Sequence, residues 1–321
     1  MEENSNELNE HSHWKSKKTL YIIMLVILVF TLIVMAINSI KPDRLTLDAA
    51  DDKLKGTVFI KTNQALIDQI SNNWLPNDLF WPTVLLDNMP NFQLGQLEVI
   101  RYNIRVLRDN LSRMRTTDKI DPSVEGAFTA LSNDPKKWWM PSAESRWRKA
   151  HNDLEMFCQG LASGGSYFYA RSDNLVELLN QYASLMGGAN TRLINAPRDI
   201  NQVLALDQEA KGSQEAPGRV NVRIPWQRID DNFYYAQGVA YALYESFRAI
   251  RSDFIDVLTD KNSLTLIDKI IEELSRCYFE PIIVFNGDPG SIFANHSLNL
   301  SGIFNDARQK VNSLIVALTQ G

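Results

Sequence analysis

The chain has 321 residues, 45% hydrophobic and 22% charged, the composition of a folded protein rather than a disordered one. A formal net charge of −5 argues against a nucleic-acid partner, which requires a basic excess. Two cysteines, Cys158 and Cys277, exclude a Cys₄ zinc site and a dense disulfide scaffold.

The first element is apolar. Thr19 to Ile40 contains no charged residue, and at about 1.5 Å rise per residue it reaches the thickness of a hydrocarbon core. A soluble helix of that length would carry a polar face. A cleaved signal peptide would have a shorter apolar run and a small-x-small cleavage site, whereas AINSIKPD follows here. The expectation is an uncleaved anchor over 19–40, through which the chain contacts the lipid bilayer. Lys15, Lys17 and Lys18 precede the span, and Lys41 and Arg44 follow it. That slight bias favours residues 1–18 as a cytoplasmic tail and 41–321 as a periplasmic domain at the inner membrane. Removing residues 1–40 takes away three lysines and four glutamates and leaves a net charge of −4. The expected body is mildly acidic and tethered by a single span.

Beyond the anchor the periodicity is helical. Leu97, Ile100, Ile104, Leu107, Leu111 and Met114 recur at alternating steps of three and four, which predicts one face of a helix over 91–115. Val99, Tyr102 and Val106 add a second stripe, so this helix should be central. Asp121-Pro122 and Asp134-Pro135 each predict a helix start, an N-cap followed by proline. Ser142 predicts another, with Glu144 in the first turn. Gly164-Gly165 and Gly187-Gly188 read as turns. The stretch 207–223, DQEAKGSQEAPGRVNVR, reads as an exposed polar loop. Phe233, Ala236, Ala240, Leu243, Phe247, Ile250, Phe254 and Val257 form a second long stripe. Its early alanines predict close helix packing at that end, and Gly238 argues for a bundle rather than a coiled coil. Leu264, Ile267, Ile271 and Leu274 mark a further helix, and the last should run from about Ser297 to Leu318. VNVRIPW at 220–226 and PIIVF at 281–285 are the strand candidates. The fold class is therefore mainly α, an anchor followed by a helical bundle.

The motifs exclude more chemistry than they support. HExxH, CxxC, EF-hand, GxxxxGK[ST], GxGxxG and GxSxG are all absent, and no metal or cofactor is expected. Three patches carry reactive residues. In DPKKWWMPSAESRWRKA, Glu144 beside Trp138, Trp139 and Trp147 could act as a general acid on a glycan, with Arg146 near by. The plainer account makes Glu144 a helix-end charge and the tryptophans packing groups. In SYFYARSDN, Arg171 with Tyr167 and Tyr169 could hold an anionic or aromatic ligand, or Ser172 or Asp173 could simply cap a helix. In FANHSLNL, His296 could be a general base, with Asp288, Ser291 or Ser297 beside it. Asn295 or Ser297 more simply caps the last helix, with Phe293 in a hydrophobic staple. Cys158 and Cys277 could form a disulfide in an oxidising compartment.

The blocks NFQLGQLEVIRYNIRVLRDNLSRMR, DPKKWWMPSAESRWRKA, FYARSDNL, DDNFYYAQGVAYAL and FANHSLNL together resemble a proteobacterial family, domain of unknown function 2333. The resemblance spans nearly the whole chain after the anchor. It implies a largely helical single-pass inner-membrane protein and supplies no catalytic residues. The leading expectation is a non-enzymatic envelope protein that binds or scaffolds an envelope or cell-wall partner, in which self-association has a place. The alternatives are a periplasmic glycan-acting enzyme or binder, and a lipid or anionic-ligand binder using the arginine-rich helices.

Overall fold

Helices α3, Asn88–Val106, and α7, Ile229–Asp253, form the most extensive helix pair among the described residues. The computed structural model describes residues 2–46, 54–115, 117–195, 229–281, 284 and 294–320. Gly95 and Gly238 meet where α3 and α7 cross. A Cβ on Gly238 would lie 1.9 Å from the Phe92 carbonyl oxygen, and one on Gly95 2.2 Å from that of Tyr235. Two backbones can approach this closely only where both helices lack side chains, so the glycines set the crossing. Ala236 and Ala240 are buried beside them, as the early small residues predict.

The other elements gather around this pair. Helix α1 is Glu2–Asn38, α2 is Thr57–Asn72, and a 3₁₀ turn spans Thr83–Leu85. Then come α4 at Pro122–Leu131, α5 at Ala143–Ser163 and α6 at Ser172–Asn195. After α7 follow α8 at Ile255–Asp260, α9 at Leu264–Arg276 and α10 at His296–Gln320. Helix α7 packs on α2, α3, α6, α9 and α10, while α4 and α5 close over α2 and α3. No strand occurs among the described residues. Within PIIVF, Pro281 and Val284 lie outside regular structure, and its other residues lie outside the described ones. The 207–223 loop and VNVRIPW lie outside them as well.

Both predicted stripes point inward. Leu97, Ile100, Ile104, Leu107 and Leu111 of the first are buried, as are Val99 and Val106 of the second. Met114 is exposed, because the helix passes into a π-helical turn at Leu107–Leu111 and ends before it. In the second long stripe Phe233, Ala236, Ala240, Leu243, Phe247, Ile250 and Phe254 are buried and Val257 is half-buried, since α7 ends at Asp253 and the chain restarts as α8. Asp121 accepts from the Ser123 amide at 2.9 Å and caps α4, and Ser142 Oγ accepts from the Ser145 amide at 3.3 Å and caps α5. Two readings are corrected. Asp134-Pro135 opens a turn, not a helix, with Asp134 accepting from the Lys136 amide. Gly187-Gly188 lies inside α6, where the Arg308 guanidinium packs over Gly187. Gly164 does end α5, at φ 77°, a left-handed conformation that favours glycine.

A neutral polar cluster occupies the core between α2, α3, α6 and α7. Asn103 Nδ2 donates to Asn63 Oδ1 at 2.8 Å and Ser246 Oγ at 2.9 Å, and Tyr182 Oη donates to Asn103 Oδ1 at 2.6 Å. All four side chains are fully buried. Burial pushes the Tyr182 pKa up, so the phenol stays a donor. A connected buried network of this kind selects one register among many apolar packings.

Candidate membrane-proximal site

Helix α1 has one covered face. Its apolar side chains from Leu20 to Phe30 stand exposed, and 22 residues, Lys17–Asn38, are long and apolar enough to cross a membrane. Near its end Thr31 is buried, while Val34, Met35 and Asn38 are partly covered; this spacing lies on one helix face. The 3₁₀ turn at Thr83–Leu85 lies against the helix, and Asn73 Nδ2 donates to Asn38 Oδ1 at 3.1 Å.

The chain then does not dangle. Residues 41–45 run as an extended strap over α7 and the end of α9, held at each position. Lys41 Nζ donates to Gln237 Oε1 at 2.8 Å and lies 3.5 Å from Glu280 Oε1. It sits 5.4 and 5.2 Å from the ring centres of Tyr234 and Tyr278. Its side chain is only 7% exposed. Burial lowers its pKa, and Glu280 opposes that shift. Gln237 is oriented by what its amide nitrogen must do. It donates to the carbonyls of Cys277 at 3.0 Å and Phe279 at 2.7 Å, which turns its oxygen toward Lys41.

The next residues repeat the grip. Tyr278 Oη donates to the Pro42 carbonyl at 2.7 Å, and Tyr241 Oη to the Asp43 carbonyl at 2.6 Å. Burial pushes the Tyr241 pKa up to about 12, so this donor persists across the physiological range. The Arg44 guanidinium lies 3.7 Å from the Tyr244 ring centre and donates to the Ser275 carbonyl at 3.2 Å. The Leu45 amide donates to Glu245 Oε1 at 3.1 Å, and Arg248 donates to the Leu45 carbonyl at 2.9 Å and to Glu245 Oε2 at 2.7 Å. Glu245 is fully buried, and burial raises its pKa against the opposing pull of the Leu45 amide, Arg248 and Arg44. The tether of the sequence reading is thus a clamp. Where α1 ends, a cavity of about 130 Å³ opens between Ser39, Lys41, Asn88, Tyr234 and Glu280.

Two of the predicted patches lie at opposite ends of α2, and His296 and Cys277 lie elsewhere. Trp147 is fully buried, donates to Asn133 Oδ1 at 2.9 Å and meets Trp74 edge-on at 4.4 Å. Glu144 Oε1 accepts from Asn77 Nδ2 at 3.0 Å, and its Oε2 is buried without a hydrogen-bond partner. Trp138 and Trp139 are exposed and pack edge-on to each other at 5.3 Å, and Arg146 is half-buried. These residues share the Asn73 end of α2. Tyr169 stacks on Tyr167 at 6.1 Å, and Arg171 forms a two-pronged pair with Asp173 at 3.0 and 2.6 Å. Their neighbour Phe168 packs on Gly56 at the other end of α2. The sixteen residues of α2 separate these two patches by about 24 Å, so they do not form one site. His296 begins α10, where Asn295 Oδ1 caps the Leu298 amide at 2.8 Å. Phe293, Asp288 and Ser291 lie outside the described residues. Cys158, on α5, and Cys277, after α9, are not joined to each other. Burial pushes the Cys277 thiol up to about 12, which leaves it unreactive. Among the described residues, no cluster of three or more His, Cys, Asp or Glu side chains could hold a metal ion.

The clamp was missed from sequence. Lys41 and Arg44 read only as topology charges there. Their aromatic partners Tyr234, Tyr244 and Tyr278, with Tyr241 on the Asp43 carbonyl between them, recur through α7 and just past α9, and that tyrosine series was the available signal.

The chain matches, over residues 9–321, the family described as uncharacterized protein conserved in bacteria, DUF2333, and belongs to it. Neither a curated protein nor a solved structure matches the chain.

Proposed function

We propose that this member of an uncharacterised bacterial family is a single-pass inner-membrane protein whose helical domain acts at the periplasmic face as a non-enzymatic binding or scaffold element. Residues 19–40 cross the bilayer, 1–18 stay in the cytoplasm and 41–321 are exported. The observation that supports this reading is the clamp. Five consecutive residues after the span are bonded to α7 and the end of α9, with Lys41 buried among two tyrosine rings. An enzyme acting on diffusing substrate gains nothing from a fixed posture relative to the membrane. A scaffold does, because its partners must meet a surface of set height and orientation.

Topology and partnership test it separately. C-terminal fusions to a periplasm-only and a cytoplasm-only reporter should give activity from the first alone. Activity from the second reverses the orientation and moves the search to soluble partners at the inner face. Crosslinking of the full chain in native membranes should yield a defined adduct with a second copy or an envelope component. A chain that crosslinks to neither is not a scaffold. A Glu144→Gln variant tests the glycan-acting alternative, which requires loss of turnover in a chain that keeps its fold.

A further inference from the structure

Two loops expose large apolar side chains, and the first of them lies against α1. Between α2 and α3 these are Leu79, Phe80, Trp81, Val84 and Leu85, with Phe80 76% exposed. Between α4 and α5 they are Trp138, Trp139 and Met140, with Met140 81% exposed. Isolated exposed apolar residues need no explanation, but a contiguous group marks a surface that something covers.

Position narrows what that is. The Thr83–Leu85 turn lies against α1, whose covered face runs from Asn38 back to Thr31. Seven residues of helix are about 10 Å, so the covered face reaches well inside the apolar run. The second loop is tied to the first. Asn77 Nδ2 donates to the Lys137 carbonyl at 3.4 Å, and Trp74 Nε1 to the Pro135 carbonyl at 2.8 Å.

The chemistry fits lipid. Backbone amides that enter a bilayer must be bonded within the protein. The first loop does this at Val84, Leu85 and Leu86, whose amides donate to the carbonyls of Phe80, Pro82 and Thr83 at 2.9–3.1 Å. Tryptophan places an apolar ring and one polar N–H at head-group depth, and the exposed Lys136 and Lys137 can extend to phosphates.

We propose that loops 79–86 and 136–140 form a second membrane contact, seated in the interfacial layer of the bilayer that α1 crosses. This rests on α1 being a membrane span. The domain then touches its own membrane at two places and lies down on it.

Bromine quenching of tryptophan tests the contact in the full chain. The protein, with Trp14→Phe to silence the tail, is reconstituted into vesicles of phosphatidylethanolamine and phosphatidylglycerol, with acyl chains brominated or not. Tryptophan emission should be strongly quenched by the brominated lipid. A triple variant, Trp81→Phe, Trp138→Phe and Trp139→Phe, keeps the loops apolar and should lose most of that quenching. If the chain resists alkaline extraction yet the triple variant is quenched as much as its parent, the loops stay out of the bilayer and the proposal is overturned. Copy-to-copy crosslinks through a benzophenone side chain introduced at position 81 of the parent chain, in the same vesicles, would overturn it in favour of a dimer face. If alkaline washing strips the chain from the vesicles, α1 is not a span, and this contact falls with it.

Discussion

The polar cluster at Asn103 and the clamp at Lys41 both bury hydrogen-bonding groups between helices, but they do so with opposite chemistry. The first uses two amides, a hydroxyl and a phenol, all uncharged. The second uses Lys41, Arg44, Glu245 and Arg248 with tyrosines as walls, and the exposed Glu280 reaches Lys41 from the solvent side. Neutral groups that satisfy each other hold a register and do not respond to pH. Charged groups brought out of water hold only while every partner is present, because an ion left alone there is costly. The core of this domain is therefore fixed by its own composition, whereas the attachment to α1 depends on protonation and on local partners.

The comparison can be broken most severely below both regions, at the crossing that positions them. Gly238→Val forces a side chain into the Phe92 carbonyl and should destabilise the domain by more than about 3 kcal/mol. Thermal melts of the full chain in nanodiscs, followed by far-ultraviolet circular dichroism, should lose their cooperative transition. Next comes the neutral network. Asn103→Ala leaves Tyr182, Asn63 and Ser246 each short of a partner, a loss of about 3 kcal/mol. Denaturant unfolding should show that loss unchanged between acid and neutral pH. In the clamp a single bond matters less. Tyr278→Phe removes the donor to the Pro42 carbonyl at about 1 kcal/mol. It should raise hydrogen exchange at the Leu45 amide while exchange around Asn103 stays as it was.

The smallest effect is also the sharpest separation of the two regions. The Glu245 pKa is raised by burial, so the folded state binds its proton more readily than the unfolded chain does. Stability linked to this residue therefore increases as pH falls from neutrality through the raised folded value, toward the unfolded value of about 4.3, the reverse of an ordinary ion-paired carboxylate. Glu245→Gln keeps an oxygen for the Leu45 amide and removes the titration. Wild type should gain on this variant as pH is lowered. A gap that is flat, or that closes on acidification, contradicts the assignment.

What was legible in the sequence follows from locality. The stripes of α3 and α7, the alanines at 236 and 240 and the caps at Asp121 and Ser142 are each set by residues within a few turns of each other. Helix α2 was not read, because Thr62, Asn63 and Gln64 interrupt its apolar stripe. Thr62 bonds the Val58 carbonyl of its own helix, whereas Asn63 and Gln64 meet partners on other helices, which periodicity cannot register. Asp134-Pro135 carries the local signal of a helix start, yet its segment crosses the end of α2, where Trp74 and Asn77 bond the Pro135 and Lys137 carbonyls. Among the site residues, the cap at Asn295 was legible and the bond from Asn77 to Glu144 was not. Trp147 read as a packing group first and a platform second, and its neighbours Trp74 and Asn133 place it in the core. The clamp joins residues about two hundred positions apart, so no window along the chain contains it.

Only Ser39 and Ile40 separate the end of α1 from Lys41. A flexible joint of two residues sweeps about 8 Å, against tens of ångströms for a linker of ordinary length. With α1 as the membrane span proposed above, the domain is thus confined to a shallow layer and cannot tumble. On that same reading, a partner in the bilayer would meet it by lateral diffusion in two dimensions, with the rotational search largely completed in advance. Turning or tilting of α1 about its axis would likewise be transmitted to the domain as a rigid movement, as a handle moves a blade.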